Sequence, residues 1–163
     1  MENIKQALLD KLTNKFSSFI VSKKEFQGDL TVEIKKEKLL DICTFLRDDF
    51  ELSFEMCKDV VGVDYNRPES RFEVVYNLYS LKNKFRFLLK VKVDESDLHV
   101  PSVVNIWPGA NWPEREVYDF FGIIYDGHPD LRRIYMPEEF EHYPLRKEFP
   151  LMGIPGSIPL PYK

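Results

Sequence analysis

The sequence predicts an α+β domain of two layers, with helices packed on one face of a mostly antiparallel sheet and a Pro-rich extended C-terminal segment after it. Three observations predict this. Apolar residues recur at helical spacing in two segments of the first fifty residues. They alternate at strand spacing from 71 to 93. Ten of the eleven prolines then crowd into the stretch after residue 99. Residues 1–98 form the α+β body, and residues 99–163 hold a short helix, Arg-bearing loops and the Pro-rich tail of the same domain.

Taken in order, Ile4, Leu8, Leu12, Phe16 and Phe19 recur every three or four residues, one face of an amphipathic helix. Leu30, Val32 and Ile34 alternate with Thr31 and Glu33, a half-buried strand. Residues 36–49 are helical again, with Leu39, Ile42, Cys43 and Leu46 on one side. Leu52, Phe54 and Met56 alternate and suggest a second strand. Phe72, Val74, Tyr76 and Leu78, then Phe85, Phe87, Leu89, Val91 and Val93, read as a hairpin turning at Lys82-Asn83-Lys84. The polar face of its second strand is basic, which reads as a solvated face that guards the sheet from aggregation.

Prolines at 101, 108, 113, 129, 137, 144, 150, 155, 159 and 161 forbid long helices and central strands in the last third. A loop tail so rich in Trp, Tyr, Arg and Pro is rarely idle. Two readings stand side by side. The tail wraps its own domain, or it is a docking segment of interface-like composition.

Within it, Asn111 suits an N-cap, Pro113 the first helical turn and Gly122 a C-terminal stop, so 112–121 reads as a short, well-punctuated helix. Glu114, Tyr118 and Phe121 share a face by spacing. Arg115 and Asp119, four apart, can pair. His128-Pro129-Asp130 initiates a turn, and Arg132 and Arg133 follow at once. Tyr143-Pro144-Leu145-Arg146-Lys147-Glu148-Phe149-Pro150 brings a second basic pair.

Composition narrows the chemistry. The chain has 163 residues, 44% hydrophobic and 14% aromatic, enough for one real core. Its formal charge of −4 disfavours nucleic acid. Cys43 and Cys57 form no CxxC pair, and two thiols fall short of the four an iron–sulfur cluster normally needs. Both read as buried free thiols. Residues 1–20 show no charged start followed by an apolar run, so no signal peptide is expected, and no stretch approaches the ~20 apolar residues of a membrane span.

Glu114, Glu116, Asp119, His128, Asp130 and His142 could form a metal cluster, though the spacing is not HExxH. A self-sufficient metal-dependent hydrolase on Glu114, Asp119, His128 and Asp130 is the reading from that class. A His128–Asp130 pair could serve acid–base work, but no Ser or Cys sits in a nucleophile elbow. Neither GxGxxG nor a P-loop occurs. Alternating acids and arginines more simply interlock as salt bridges and backbone hydrogen bonds. The residues therefore favour a structural or docking role and predict no catalytic, cofactor-binding or metal residue.

The run Glu114-Arg115-Glu116, Tyr118-Asp119, Phe121-Gly122-Ile123, then Gly127-His128-Pro129-Asp130-Leu131-Arg132-Arg133-Ile134, resembles the signature of the C-type subunit of respiratory complex I, the NADH–quinone oxidoreductase 30 kDa family. Pro144-Leu145-Arg146-Lys147-Glu148-Phe149-Pro150 is similar to that family's second hallmark, with Glu148 where the family commonly has Asp. The resemblance implies a peripheral-arm component of a proton-translocating enzyme, on the cytoplasmic side of a bacterial membrane. It implies direct contact with the D-type subunit of the quinone-reducing module, with the B-type and I-type subunits nearby. The B-type and I-type subunits would hold iron–sulfur clusters, and FMN would likewise belong to partner subunits rather than to this chain. Within this frame Arg132, Arg133, Arg146 and Lys147 are the candidate docking residues. Glu114, Arg115, Glu116, Asp119, His128 and Asp130 are the candidate bracing network. The equivalent component of an energy-converting membrane-bound hydrogenase, or of a ferredoxin-fed relative, is the alternative within the superfamily. A plain binding module in an unrelated complex is a third reading.

Overall fold

The computed structural model describes residues 2–157; Pro159, Pro161 and the end of the predicted tail lie outside the described residues. Helix α1, Glu2–Phe16, turns Leu8, Leu12 and Phe16 inward. Phe19 falls in a separate 3-10 turn after it. Strand β1, Ile20–Phe26, pairs with β2, Asp29–Ile34. No sequence pattern predicts β1. Six of its seven residues are exposed, so no alternation marks it. In β2, Leu30, Val32 and Ile34 are buried in alternation, as expected.

Helix α2, Leu39–Asp48, buries the expected Leu39, Ile42, Cys43 and Leu46. The second predicted strand is displaced. Strand β3 is Met56–Asp64, while Leu52 and Phe54 lie buried in the segment that leads into it. The Trp107 indole N–H holds that lead-in, donating to the Phe54 carbonyl at 2.9 Å. Strands β4, Phe72–Ser80, and β5, Phe85–Val93, form the expected hairpin.

The sheet order is β1-β2-β5-β4-β3, antiparallel throughout except for the central β2/β5 pair. Helix α2 and the β3–β4 strands intervene between β2 and β5, and such a long crossover is what parallel pairing requires. On the solvated face the basic side chains of β5 are paired across strands. Lys90 meets Glu73 at 2.7 Å, Lys92 meets Glu33 at 2.8 Å, and Arg86 meets Asp29.

Two short strands, β6 (His99–Pro101) and β7 (Ile124–Asp126), pair in parallel. Between them runs α3, Asn111–Phe121. The core is continuous from Leu8 and Leu12 through Val74, Tyr76 and Leu89 to Trp107, Phe121 and Tyr125. Helix α3 lies on bare backbone at β3. A Cβ on Gly62 would come 2.7 Å from Phe121 Cδ2 and 3.0 Å from Val117 Cγ1. Both cysteines are buried and free. Burial pushes the Cys57 thiol up to about 12 and that of Cys43 well above its ordinary range, so both are inert.

Candidate functional site

Helix α3 does not start as expected. Asn111 is already helical, and Ala110, the last residue of a 3-10 turn, takes the cap position with no side-chain cap. The 3-10 turn supplies the lead-in that a capping side chain otherwise provides. The stop is as expected. Gly122 is left-handed, φ 75°, and its N–H donates to the Tyr118 carbonyl at 2.8 Å. A Cβ there would lie 2.6 Å from Tyr143 Cζ and 2.9 Å from Arg146 Nη2. Gly122→Ala is therefore expected to destabilise by about 2–3 kcal/mol, combining left-handed strain with overpacking, and chemical denaturation reads it.

Asp119 faces the loop that follows. Its Oδ2 accepts the N–H groups of Ile134, Tyr135 and Met136 at 3.0, 2.7 and 3.1 Å, and its Oδ1 accepts Arg133 Nη1 at 2.8 Å. Burial would raise this carboxyl. The three N–H groups, Tyr135 foremost, and the Arg133 guanidinium outweigh it and hold the group below its usual range. The predicted Arg115–Asp119 pair does not form. Arg115 turns the other way, donating to the carbonyls of Arg132 and Arg133 at 3.1 and 3.3 Å, with Asp130 at 3.8 Å and the Trp112 ring beneath it. The loop backbone occupies both side chains before the weaker i,i+4 geometry can.

The four candidate docking residues divide. Arg133 is spent inside the chain, on Asp119 and on the His142 carbonyl at 3.2 Å. Arg146 Nε donates to the Phe121 carbonyl at the end of α3, at 2.8 Å, while its guanidinium stacks on Tyr143. Arg132 and Lys147 are exposed, Arg132 with Asp130 at 3.0 Å. His128 Nδ1 accepts the Asp130 N–H at 3.0 Å, which leaves the ring proton on Nε2 to donate to the Asn111 carbonyl at 3.2 Å. Glu116 is exposed and accepts from the Tyr135 hydroxyl at 3.3 Å.

A second clamp has no counterpart among the sequence expectations. Arg71 forks onto Asp64 through Nε and Nη2, at 3.0 and 2.8 Å, and also meets Glu95 at 2.8 Å and Glu148. Asp64 further accepts the N–H groups of Lys147 and Asn66, each at 2.8 Å. Its burial is outweighed by Arg71 and these amides, and its pKa falls to about 2. The clamp fastens the second hallmark to the ends of β3 and β4. Arg71 and Asp64 are 7 residues apart at the ends of paired strands, but Glu148 and the Lys147 amide reach them across 77 and 83 residues of chain, which no local spacing signals.

Glu114 faces the core instead. The Ser102 hydroxyl donates to it at 2.6 Å and the Val103 N–H at 2.8 Å. Burial dominates and lifts its pKa from 4.5 to about 7. The folded protein thus holds this proton more tightly than the unfolded chain. The stabilisation is complete below pH 4.5, declines between 4.5 and 7, and is gone above, a loss of roughly 3 kcal/mol. Glu114→Gln is expected to flatten that decline in unfolding free energy measured from about pH 5 to 8.

Among the described residues no three His, Cys, Asp or Glu side chains come together as a metal site. Glu114 and Asp119 diverge, and His128 and Asp130 are engaged with backbone and with Arg132, so the hydrolase constellation is not assembled. What the arrangement does is hold irregular chain rigid.

The sequence model of the respiratory-chain NADH dehydrogenase 30 kDa subunit matches residues 32–155. The chain belongs to that family. The C-type NADH-quinone oxidoreductase subunit of Roseiflexus sp. (strain RS-1) is 50% identical over 144 residues, which are 88% of this chain and 83% of that protein. Its counterpart in Geobacter metallireducens is 47% identical over 150 residues, 91% of each chain. Among solved structures, a trypsin-resistant fragment (1–134) of Nqo5 superposes with a TM-score of 0.68 at 34% identity, covering 78% of this chain and 99% of the fragment. A chain of the membrane-bound sulfane sulfur reductase, an archaeal respiratory membrane complex, shares the fold, with a TM-score of 0.76 at 22% identity over 91% of this chain and 86% of that one. The 30 kDa family supplies components of a multisubunit enzyme. Among the described residues no helix is long and apolar enough to cross a membrane.

Proposed function

We propose that this chain is a peripheral-arm component of a proton-translocating NADH:quinone oxidoreductase, without a redox cofactor or active site of its own. It docks on the D-type subunit and supports assembly of the quinone-reducing module, with the B-type and I-type subunits nearby. FMN and iron–sulfur clusters reside in other subunits of the complex, and the assembly lies on the cytoplasmic side of a bacterial membrane. One observation carries this reading. Trp112, Tyr135 and Leu145 are 63%, 58% and 52% exposed, yet Trp112 sits on α3 and the other two on irregular chain fastened by Asp119 and Asp64. Exposed apolar groups in a preorganised frame are what an interface needs, because little ordering entropy is then lost on binding. Arg132 and Lys147 meet the partner directly. Arg133 and Arg146 act from within, by fixing the shape that is presented.

The test is to isolate the tagged chain from gently solubilised membranes and identify what accompanies it. Flavin- and cluster-bearing subunits with NADH-driven quinone reduction are expected. A nickel–iron hydrogenase in their place keeps the docking role and changes the reaction. Recovery of the chain alone under assembly-permitting conditions overturns the proposal.

A further inference from the structure

We propose that the free edge of β3 receives an extended segment of a partner chain, which adds to the sheet as a sixth strand along Asp59–Val63. This rests on the docking role proposed above and assigns it a surface. Strand β3 is the last of the five and, among the described residues, pairs with β4 alone. The Val60 N–H is taken by Asp59 Oδ1 at 2.9 Å, which marks the even positions as those whose amides face away from β4. By alternation Gly62 presents its N–H and C=O on the same side. The open edge is short. At one end the 3-10 turn stands over it, with a Cβ on Gly109 reaching 3.5 Å from the Cys57 carbonyl. At the other, the Lys147 N–H closes onto Asp64 at 2.8 Å. Between them lies room for about four or five residues, roughly 15 Å of strand.

The ground beside this edge fits such a visitor. A cavity of about 100 Å³ runs between β3 and α3, with Val117, Phe120 and Leu145 among its apolar walls and Asp59 and Glu116 at its rim. Among the described residues no lysine, arginine or histidine lines it. On the opposite face of the strand, Val61 is 43% exposed. An added strand alternates its side chains, sending one into the cavity and the next beside Val61. The carboxylates call for a Lys or Arg in that segment. The cavity continues into the exposed surface already described, since Tyr135 stacks on Phe120 at 5.2 Å and Leu145 is shared.

A second copy of this chain is the poorer occupant. Pairing β3 with β3 about a two-fold axis would set the carboxylates of one rim, Asp59 and Glu116, beside those of the other, and pairing β3 with the outer edge of β1 would run head to tail and build open filaments rather than closed dimers. Exposed Lys23 and Lys24 on β1 guard against that pairing.

Hydrogen–deuterium exchange compares the isolated chain with the same chain in the solubilised complex. The outward-facing amides of Val60 and Gly62 are expected to slow by about 100-fold on assembly, as ladder amides do, while those of Val61 and Val63, already paired with β4, change little. If the chain assembles and the Val60 and Gly62 amides exchange as they do in isolation, the edge proposal falls while the docking role stands. If no complex forms, both fall. If the isolated chain already protects this segment in a concentration-dependent way, the occupant is a second copy and the proposal is overturned. In a second measurement Glu116→Lys competes with the unaltered chain for incorporation. It is expected to lose by about tenfold with an unchanged melting temperature, because a rim charge governs encounter more than fold. Equal incorporation overturns the charge assignment.

Discussion

Asp119→Ala is expected to lower the free energy of unfolding by about 3–5 kcal/mol, the usual result of stranding a buried charge. Arg133 then has no carboxylate, and the amides of Ile134, Tyr135 and Met136 lose their shared acceptor. Asp119→Asn separates the two contributions. It keeps an oxygen for the amides, removes the charge beside Arg133, and is expected to recover part of the loss. Urea unfolding of the three proteins measures both steps. A loss below about 1 kcal/mol for the alanine variant would place Asp119 among ordinary surface acids, contrary to its burial.

Arg71→Ala is expected to cost a similar amount, about 3–5 kcal/mol, because Asp64 is left fully buried without its cation. Its distinctive effect falls on the tail. Glu148 and the Lys147 amide are fastened through this cluster, so trypsin is expected to cut after Arg146 and Lys147 faster in the variant than in the parent. Arg71→Lys should not rescue it, since an ammonium cannot fork onto a carboxylate. Acid acts on the same bond. Asp64 is held near pKa 2, below its ordinary 3.8, so the stability it lends is complete above pH 3.8 and is lost as pH falls through 2. Unfolding followed from about pH 5 to 2 should show this loss in the parent and a much smaller one in Arg71→Ala.

These two clamps mark the limit of local pattern. The residues of the first, Asp119 and Arg133, stand in the recognisable run and are expected from it to take part. Their pairing is not, because helical spacing offers Arg115 as the partner while the folded loop offers Arg133. The second clamp involves Asp64 and Arg71, which look like ordinary charges at the ends of strands. They become a buried pair only when the tail closes over them. Glu114 is legible as a helix-start acid but not as a core residue, since its burial depends on Ser102 and Val103 arriving from the chain before the helix.

What the sequence by itself determined is the set of elements whose short-range periodicity runs over several turns or pleats, together with the motif. It specified α1, α2, the 72–93 hairpin, the short helix with its glycine stop, the inert cysteines and the family. Burial every third or fourth residue, or every second, is written directly into the order of side chains. Tertiary structure decided the rest. Exposed β1 has no pattern and exists because β2 offers it an unpaired edge. The parallel β2/β5 pairing, the setting of α3 on Gly62 and the pairing of each buried charge depend on which distant segments meet. Local preferences are felt over one turn of chain, whereas a buried charge is compensated by whichever groups the fold brings within about 3 Å of it.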